Sequence, residues 1–238
     1  MMGPCPTTPS STTRWGESLR GAHRRLGRRV GRATTYLPGI ATFAAVPAEP
    51  CAADWDDLAE LLGPDQLADL FSGPAAPPGD WPAVFSVPGL QLVGGTGQPS
   101  AAQGGPGRGE VVELGEADVP EMLALAELTR PGPFWPRTIE LGSYLGVREG
   151  GELVAMAGER LRPPGWTEIS AVCTAPGARG GGYAATLVQA LAARIATRGE
   201  HPFLHVAEDN AAALRLYQRL GFVVRRRVRF HGHRTPVG

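Results

Sequence analysis

The residues best suited to chemistry lie in one stretch, Glu168-Ile-Ser-Ala-Val-Cys-Thr-Ala-Pro-Gly-Ala-Arg-Gly-Gly-Gly-Tyr-Ala184. Apart from Glu168, Ser170 and Thr174 its first part is apolar, and Pro176 and Gly177 break it. Arg179, Gly180, Gly181, Gly182 and Tyr183 then lead into Ala184 to Arg194, where strong helix formers dominate. The pattern reads as a buried strand, a tight loop and the start of a long helix. Glycines at a helix start let backbone N–H groups face outward, and the positive helix end favours an anion there. The implied chemistry is binding of a phosphate-bearing ligand across the end of a strand. A second stretch runs Asn210-x-x-Ala213-x-x-Leu216-Tyr217-x-x-x-Gly221-Phe222. Asn210 suits a helix cap, Gly221 suits the residue after the helix, and Ala213, Tyr217 and Leu220 share one face.

Other chemistries find no support. The three cysteines, Cys5, Cys51 and Cys173, are scattered, and no Cys-x-x-Cys or His-x-x-x-His spacing points to a metal. Gly104-Gly-Pro-Gly-Arg-Gly109 is followed by no Gly-Lys-Ser/Thr, so it is not a phosphate loop of that kind. The 23 basic residues, all Arg, balance 23 acids, and global charge favours no polyanionic partner. No apolar run is long enough to span a bilayer, and the first residues lack the apolar core of a signal peptide. A cytoplasmic setting and no membrane partner are expected.

The elements that must position these stretches read as follows. Residues 1–13 look disordered. Residues 14–32 hold seven Arg against Glu17 and fit an amphipathic helix, with Leu19, Ala22, Leu26 and Val30 on one side. Ile40 to Val46 fits a strand. Asp54 caps a helix ending at Gly63, and Pro64-Asp65 starts another carrying Leu67, Leu70 and Phe71. Pro88-Gly89 suits a type II turn joining Ala83–Phe85 to Leu90–Val93 as a hairpin. Residues 94–109 read as a Gly/Pro-rich linker. From residue 110 the pattern is a strand at Val111–Leu114, then a helix capped by Asp118 with Met122, Leu125 and Leu128 inward. Strands Tyr144–Arg148 and Leu153–Leu161 join at Glu149-Gly-Gly151, and strand Trp166–Thr174 follows. A helix over 179–198, strand Phe203–Val206, the Asn210 helix and strand Phe222–Phe230 complete the chain. Two regions are expected, a smaller α/β region over 1–109 and the main domain over 110–238.

Together, Arg179-Gly-Gly-Gly182-Tyr-Ala184, the Asn210…Leu216-Tyr217…Gly221-Phe222 helix and the element order from Val111 resemble the GNAT superfamily of acyl-CoA N-acyltransferases. The first half resembles the reduced partner half of glycine N-acyltransferases. The resemblance implies an α+β fold: a mixed, splayed β-sheet flanked by helices. It implies acetyl-CoA as co-substrate, with its pantetheine arm pairing with backbone groups of Val172, Cys173 and Thr174. The pyrophosphate would lie on Arg179 and on the amides of Gly180, Gly181, Gly182, Tyr183 and Ala184, and Asn210 would reach the arm. Tyr217 is the expected acid for the leaving thiolate, and the Val172 N–H the oxyanion donor.

Glu168 is the expected base for a primary amine, on a face shared with Ser170 and Val172 by strict alternation; Glu159 is the runner-up. Cys173 reads as a small buried hydrophobe and His205 as a core residue. Where many members carry a basic residue this chain has Gly181, which implies weaker cofactor binding. The acceptor is a small-molecule or peptide amine, with Phe134 and Trp135 as candidate lining. A catalytically weak CoA-binding regulatory protein is the alternative. A nucleic-acid partner through Arg24, Arg25, Arg28 and Arg29, or Arg225 to Arg229, ranks last.

Overall fold

The computed structural model describes residues 14–71, 76–94 and 110–237, so the expectations for residues 1–13 and for most of the linker lie outside the described residues. In chain order the elements are helix Arg14–Arg20 (α1), strands Gly27–Val30 (β1), Ala33–Tyr36 (β2) and Ala44–Ala45 (β3), helix Ala52–Leu62 (α2), and strands Leu67–Asp69 (β4) and Ala83–Gly94 (β5). They continue with strand Glu110–Leu114 (β6), helix Val119–Thr129 (α3), and strands Tyr144–Glu149 (β7), Glu152–Glu159 (β8) and Trp166–Thr174 (β9). Helix Tyr183–Thr197 (α4), strand His201–Ala207 (β10), helix Ala211–Arg219 (α5) and strand Phe222–Arg234 (β11) follow. Among the described residues no helix is long and apolar enough to cross a membrane.

Two compact units form. The first comprises Met1–Pro38, Thr42–Pro88 and Val228–Gly238; the second comprises Gly39–Ala41 and Gly89–Arg227. The expected boundary at 109/110 falls beside residues outside the description, and β5 and β11 contribute residues to both units.

In the first unit, β1, β2 and β3 form an antiparallel sheet against α2, with Trp55, Leu58, Leu61, Leu70 and Trp81 in the core. Several expectations fail here for local reasons. The helix expected over 14–32 stops at Arg20. Gly27 starts β1 instead, and a Cβ there would come within 2.6 Å of Leu19. The expected strand at 40–46 shrinks to Ala44–Ala45. The helix expected after Pro64 is strand β4: Asp65 turns at φ 52°, and Leu67–Asp69 pairs with Gly232–Arg234. The helix at 52–62 begins one turn earlier than expected. Asp54 sits at its third position, where its carboxylate accepts from the Cys51 N–H at 2.8 Å. Gly63 ends it as expected.

The second unit carries a mixed sheet in the order β5-β10-β9-β8-β7-β6, antiparallel except where β9 and β10 run parallel. Helices α4 and α5 cover one apolar cluster, containing Ile169, Leu187, Leu191, Leu204, Val206 and Tyr217. Helix α3 covers another, containing Met122, Leu125, Tyr144, Met156, Ala171 and Cys173. The expected hairpin at Pro88-Gly89 is absent. The chain stays extended because Gly89–Val93 pairs residue by residue with Ala207–Phe203. In α3 the inner face includes Ala126, while Leu128 is 62% exposed. Asp118 does not cap α3 with its side chain; it accepts from Gly115 N–H and from Arg148. The remaining elements match the expected order, with ends shifted by a few residues.

Candidate active site

The site grows out of β9. Its ladder with β8 pairs Cys173 with Met156 and Ser170 with Gly158, so Ala171 and Val172 together oppose the single residue Ala157. This is a β-bulge, and Ala171 stands at φ 52°, in the left-handed region. The bulge shifts the side-chain alternation. Ile169 and Val172, three residues apart, pack with the α4 cluster, whereas Ala171 and Cys173 pack with the α3 cluster. Val172 therefore does not share the face of Glu168 and Ser170, against the expectation of strict alternation. A bulge leaves its extra residue out of the ladder.

The other edge of β9 opens. β9 and β10 pair only over Trp166–Glu168 and His201–Phe203, after which β10 turns its residues 203–207 to β5. From Ile169 onward β9 has no ladder to β10 among the described residues, and the two strands part as a fork. An exposed strand edge of this kind can add an extended, amide-bearing ligand. At the end of the fork the chain makes a short turn at Pro176–Ala178 and enters α4 through the glycines. Gly180 and Gly182 lie at φ 88° and 81°, and a Cβ at either would meet nothing within 4 Å. Their glycine identity is demanded by backbone conformation, and the first N–H groups of a helix have no carbonyl partner within it.

Gly181 is different. A Cβ there would come within 2.8 Å of the Tyr183 ring, so a larger side chain must displace that ring. Tyr183 is buried, and its hydroxyl donates to the Glu149 carboxylate. The bareness of position 181 thus follows from the packing of Tyr183. Arg179 is exposed, its Nε donating to the Thr174 carbonyl at 3.4 Å, and Ala184 is half-buried in the first turn. The Asn210 side chain accepts from Ala213 N–H at 3.1 Å, so its oxygen is committed to capping α5.

Tyr217 projects from α5 into the α4 cluster, with its ring edge-on to Phe222 at 6.2 Å. Burial, aided by the nearby Cys173 thiol, pushes its hydroxyl up to about 12. Cys173 is the small buried residue expected: burial raises its thiol, against weaker opposing hydrogen bonds from Thr129 and Met156.

Glu168 lies at the vertex of the fork with no exposed side-chain surface. Arg160 grips both its oxygens, Nε at 2.9 Å and Nη2 at 2.6 Å, and His205 Nδ1 lies 2.6 Å from Oε1. Burial alone would raise the carboxyl, but Arg160 and His205 outweigh it and hold Glu168 at about 2. Burial lowers His205, against the opposing pull of Glu168, so it is neutral at pH 7. The neutral ring donates from Nδ1 to Glu168 and accepts at Nε2 from the Gln91 amide, 3.0 Å away. Glu159 is likewise committed, to Arg198 at 2.7 Å. Neither carboxylate is a free proton acceptor.

Arg160 and Gln91, which bond Glu168 and His205, were not foreseen. Arg160 could have been found from the hairpin that brings β8 back along β9. Gln91 could not, because the expected turn at Pro88-Gly89 hid its strand. Phe134 packs edge-on to Tyr144 at 5.7 Å, whereas Trp135 is 41% exposed.

The family model described as FR47-like protein matches residues 144–230, which contain β7 through most of β11. No curated protein matches the sequence. Among solved structures, a GCN5-related N-acetyltransferase from Kribbella flavida aligns with TM-score 0.60 at 20% identity, over 94% of this chain and 95% of its own. A Drosophila protein aligns with TM-score 0.60 at 15% identity, over 87% and 74%. At those identities the likeness is one of fold. A GNAT-family protein from Novosphingobium aromaticivorans is closer, with TM-score 0.80 and 39% identity over 94% of this chain and 96% of that one. Near full-length similarity at that level means that this chain belongs to the GNAT family.

Proposed function

We propose that the protein is an N-acetyltransferase that moves an acetyl group from acetyl-CoA to a primary amine by direct attack. The observation that carries this reading is the fork between β9 and β10, bordered by the Ala171–Val172 bulge and ending at the glycine turn that starts α4. An extended pantetheine arm fits along the free edge of Val172 to Thr174, with the pyrophosphate at the glycine turn. The thioester then lies beside the bulge, where the Val172 N–H polarises its carbonyl. Such a donor contributes on the order of 3 kcal/mol to the transition state.

The amine nitrogen attacks the thioester carbon, the carbon–sulfur bond breaks, and the nitrogen gives its extra proton to solvent. Tyr217 serves the leaving thiolate. With its hydroxyl near 12 against a thiol near ~8.5, full proton transfer would be uphill by about 5 kcal/mol. Its part is therefore to donate a hydrogen bond to the sulfur. Glu168 keeps its charge and fixes Arg160 and His205 at the vertex of the fork; the amine reacts as its free base.

Thiol release from acetyl-CoA on addition of a primary-amine panel, with the acetylated amine identified by mass, tests the reading. Tight acetyl-CoA binding with no amine-dependent thiol release would overturn it in favour of a CoA-binding regulatory protein.

A further inference from the structure

One row of residues on the α3 side of the sheet is unexplained by the cofactor. Tyr144, Gly158 and Ser170 stand directly opposite one another across β7, β8 and β9. Opposite residues in a ladder project to the same face. The middle position is a glycine, and a Cβ there would lie 2.2 Å from the Tyr144 ring. The ring therefore lies flat over β8 and carries its hydroxyl toward β9. Tyr144 is 1% exposed, and among the described residues its hydroxyl has no hydrogen-bond partner. Burying a hydroxyl without a partner destabilises the fold, a cost that a purely structural phenylalanine would avoid. Ser170, half-buried at the other end of the row, directly precedes the bulge.

We infer that this row is the acceptor subsite, and that it takes a monoamine carried on an apolar or aromatic group. The inference rests on the acetyl-transfer reading above. Ser170 meets the entering amine, and the Tyr144 oxygen accepts one of its N–H bonds, leaving the nitrogen lone pair for the thioester carbon beside the bulge. Phe134, packed edge-on to Tyr144, supplies an apolar wall. The two carboxylates nearest the row already serve arginines, Glu168 with Arg160 and Glu159 with Arg198. A second cation on the substrate would find both of these carboxylates already paired.

The test uses the full chain with saturating acetyl-CoA and three probes, benzylamine, glycinamide and putrescine, reading thiol release. Benzylamine should show the lowest KM and putrescine the highest. Tyr144→Phe should raise the benzylamine KM about tenfold, leave the acetyl-CoA KM within twofold, and leave the urea midpoint equal or higher. Ser170→Ala should move the benzylamine KM in the same direction. An unchanged benzylamine KM in both variants overturns the subsite. So does a lower urea midpoint for Tyr144→Phe, which would mean that the hydroxyl is bonded within the fold, through a buried water. Putrescine used as well as benzylamine overturns the substrate class. Absence of thiol release by the wild type with all three probes overturns the acetyl-transfer reading and the subsite together.

Discussion

Replacing Glu168 by Gln separates a structural carboxylate from a catalytic one. The wild-type side chain receives two bonds from Arg160 and one from His205, and Arg160 is itself only 9% exposed at its side chain. The amide keeps one acceptor oxygen but turns an NH2 group on a guanidinium that cannot lose its charge. Breaking a buried pair from one side costs about 3–5 kcal/mol. A second route gives a similar figure. The carboxyl moves from an ordinary 4.5 to about 2 on folding, and at ~1.4 kcal/mol per pH unit this is roughly 3–4 kcal/mol. The sign follows from the depressed folded value: the stabilisation is full above 4.5 and is lost as pH falls toward 2. Urea unfolding at pH 7 should therefore show Glu168→Gln less stable by roughly 3 kcal/mol, and the gap should narrow at pH 3. A gap below ~1 kcal/mol at pH 7, combined with lost turnover, would refute the reasoning and return Glu168 to the role of direct base.

Tyr217→Phe removes one hydrogen bond to a developing thiolate, so kcat should fall roughly 10- to 100-fold with little change in acetyl-CoA binding measured by calorimetry. The rate against pH should rise with the free-base fraction of the chosen amine, with no inflection from Glu168 above pH 5 and no decline from Tyr217 below about 12, where its hydroxyl titrates. Burial depresses His205, so stability should also fall as pH drops below the unfolded histidine value of ~6.5; this loss should be smaller in His205→Asn, followed by thermal denaturation. Gly182→Ala forces a side chain to φ 81°, at a cost of about 1–2 kcal/mol, and should raise the KM for acetyl-CoA with smaller effect on the amine KM.

The order of elements from Val111 onward and the glycine turn were legible because each rests on local rules: apolar runs of strand length, a capping asparagine, glycines where φ is positive. The first unit was much less so. Leu67 to Asp69 has a helix-compatible spacing, and only pairing with residues more than 160 positions later makes it a strand. Pro88-Gly89 is a good turn on its own and stays extended because β10 recruits Leu90 to Val93. The same limit explains the fate of Glu168. Its position was readable, but its chemistry belongs to Arg160 on the preceding hairpin arm and to His205 on β10, neither of which alternation along β9 reveals. The bulge had a fainter signal still, since Ala171 takes a left-handed conformation without being a glycine. That conformation is costly for alanine, and the surrounding ladder maintains it at the one point where β9 must both leave β8 register and face the fork. The strained Ala171 directly follows Ser170, the residue in register with Gly158 and, through it, with Tyr144, whose hydroxyl has no partner among the described residues. Local sequence rules fail there, in the region where the proposed reaction would take place.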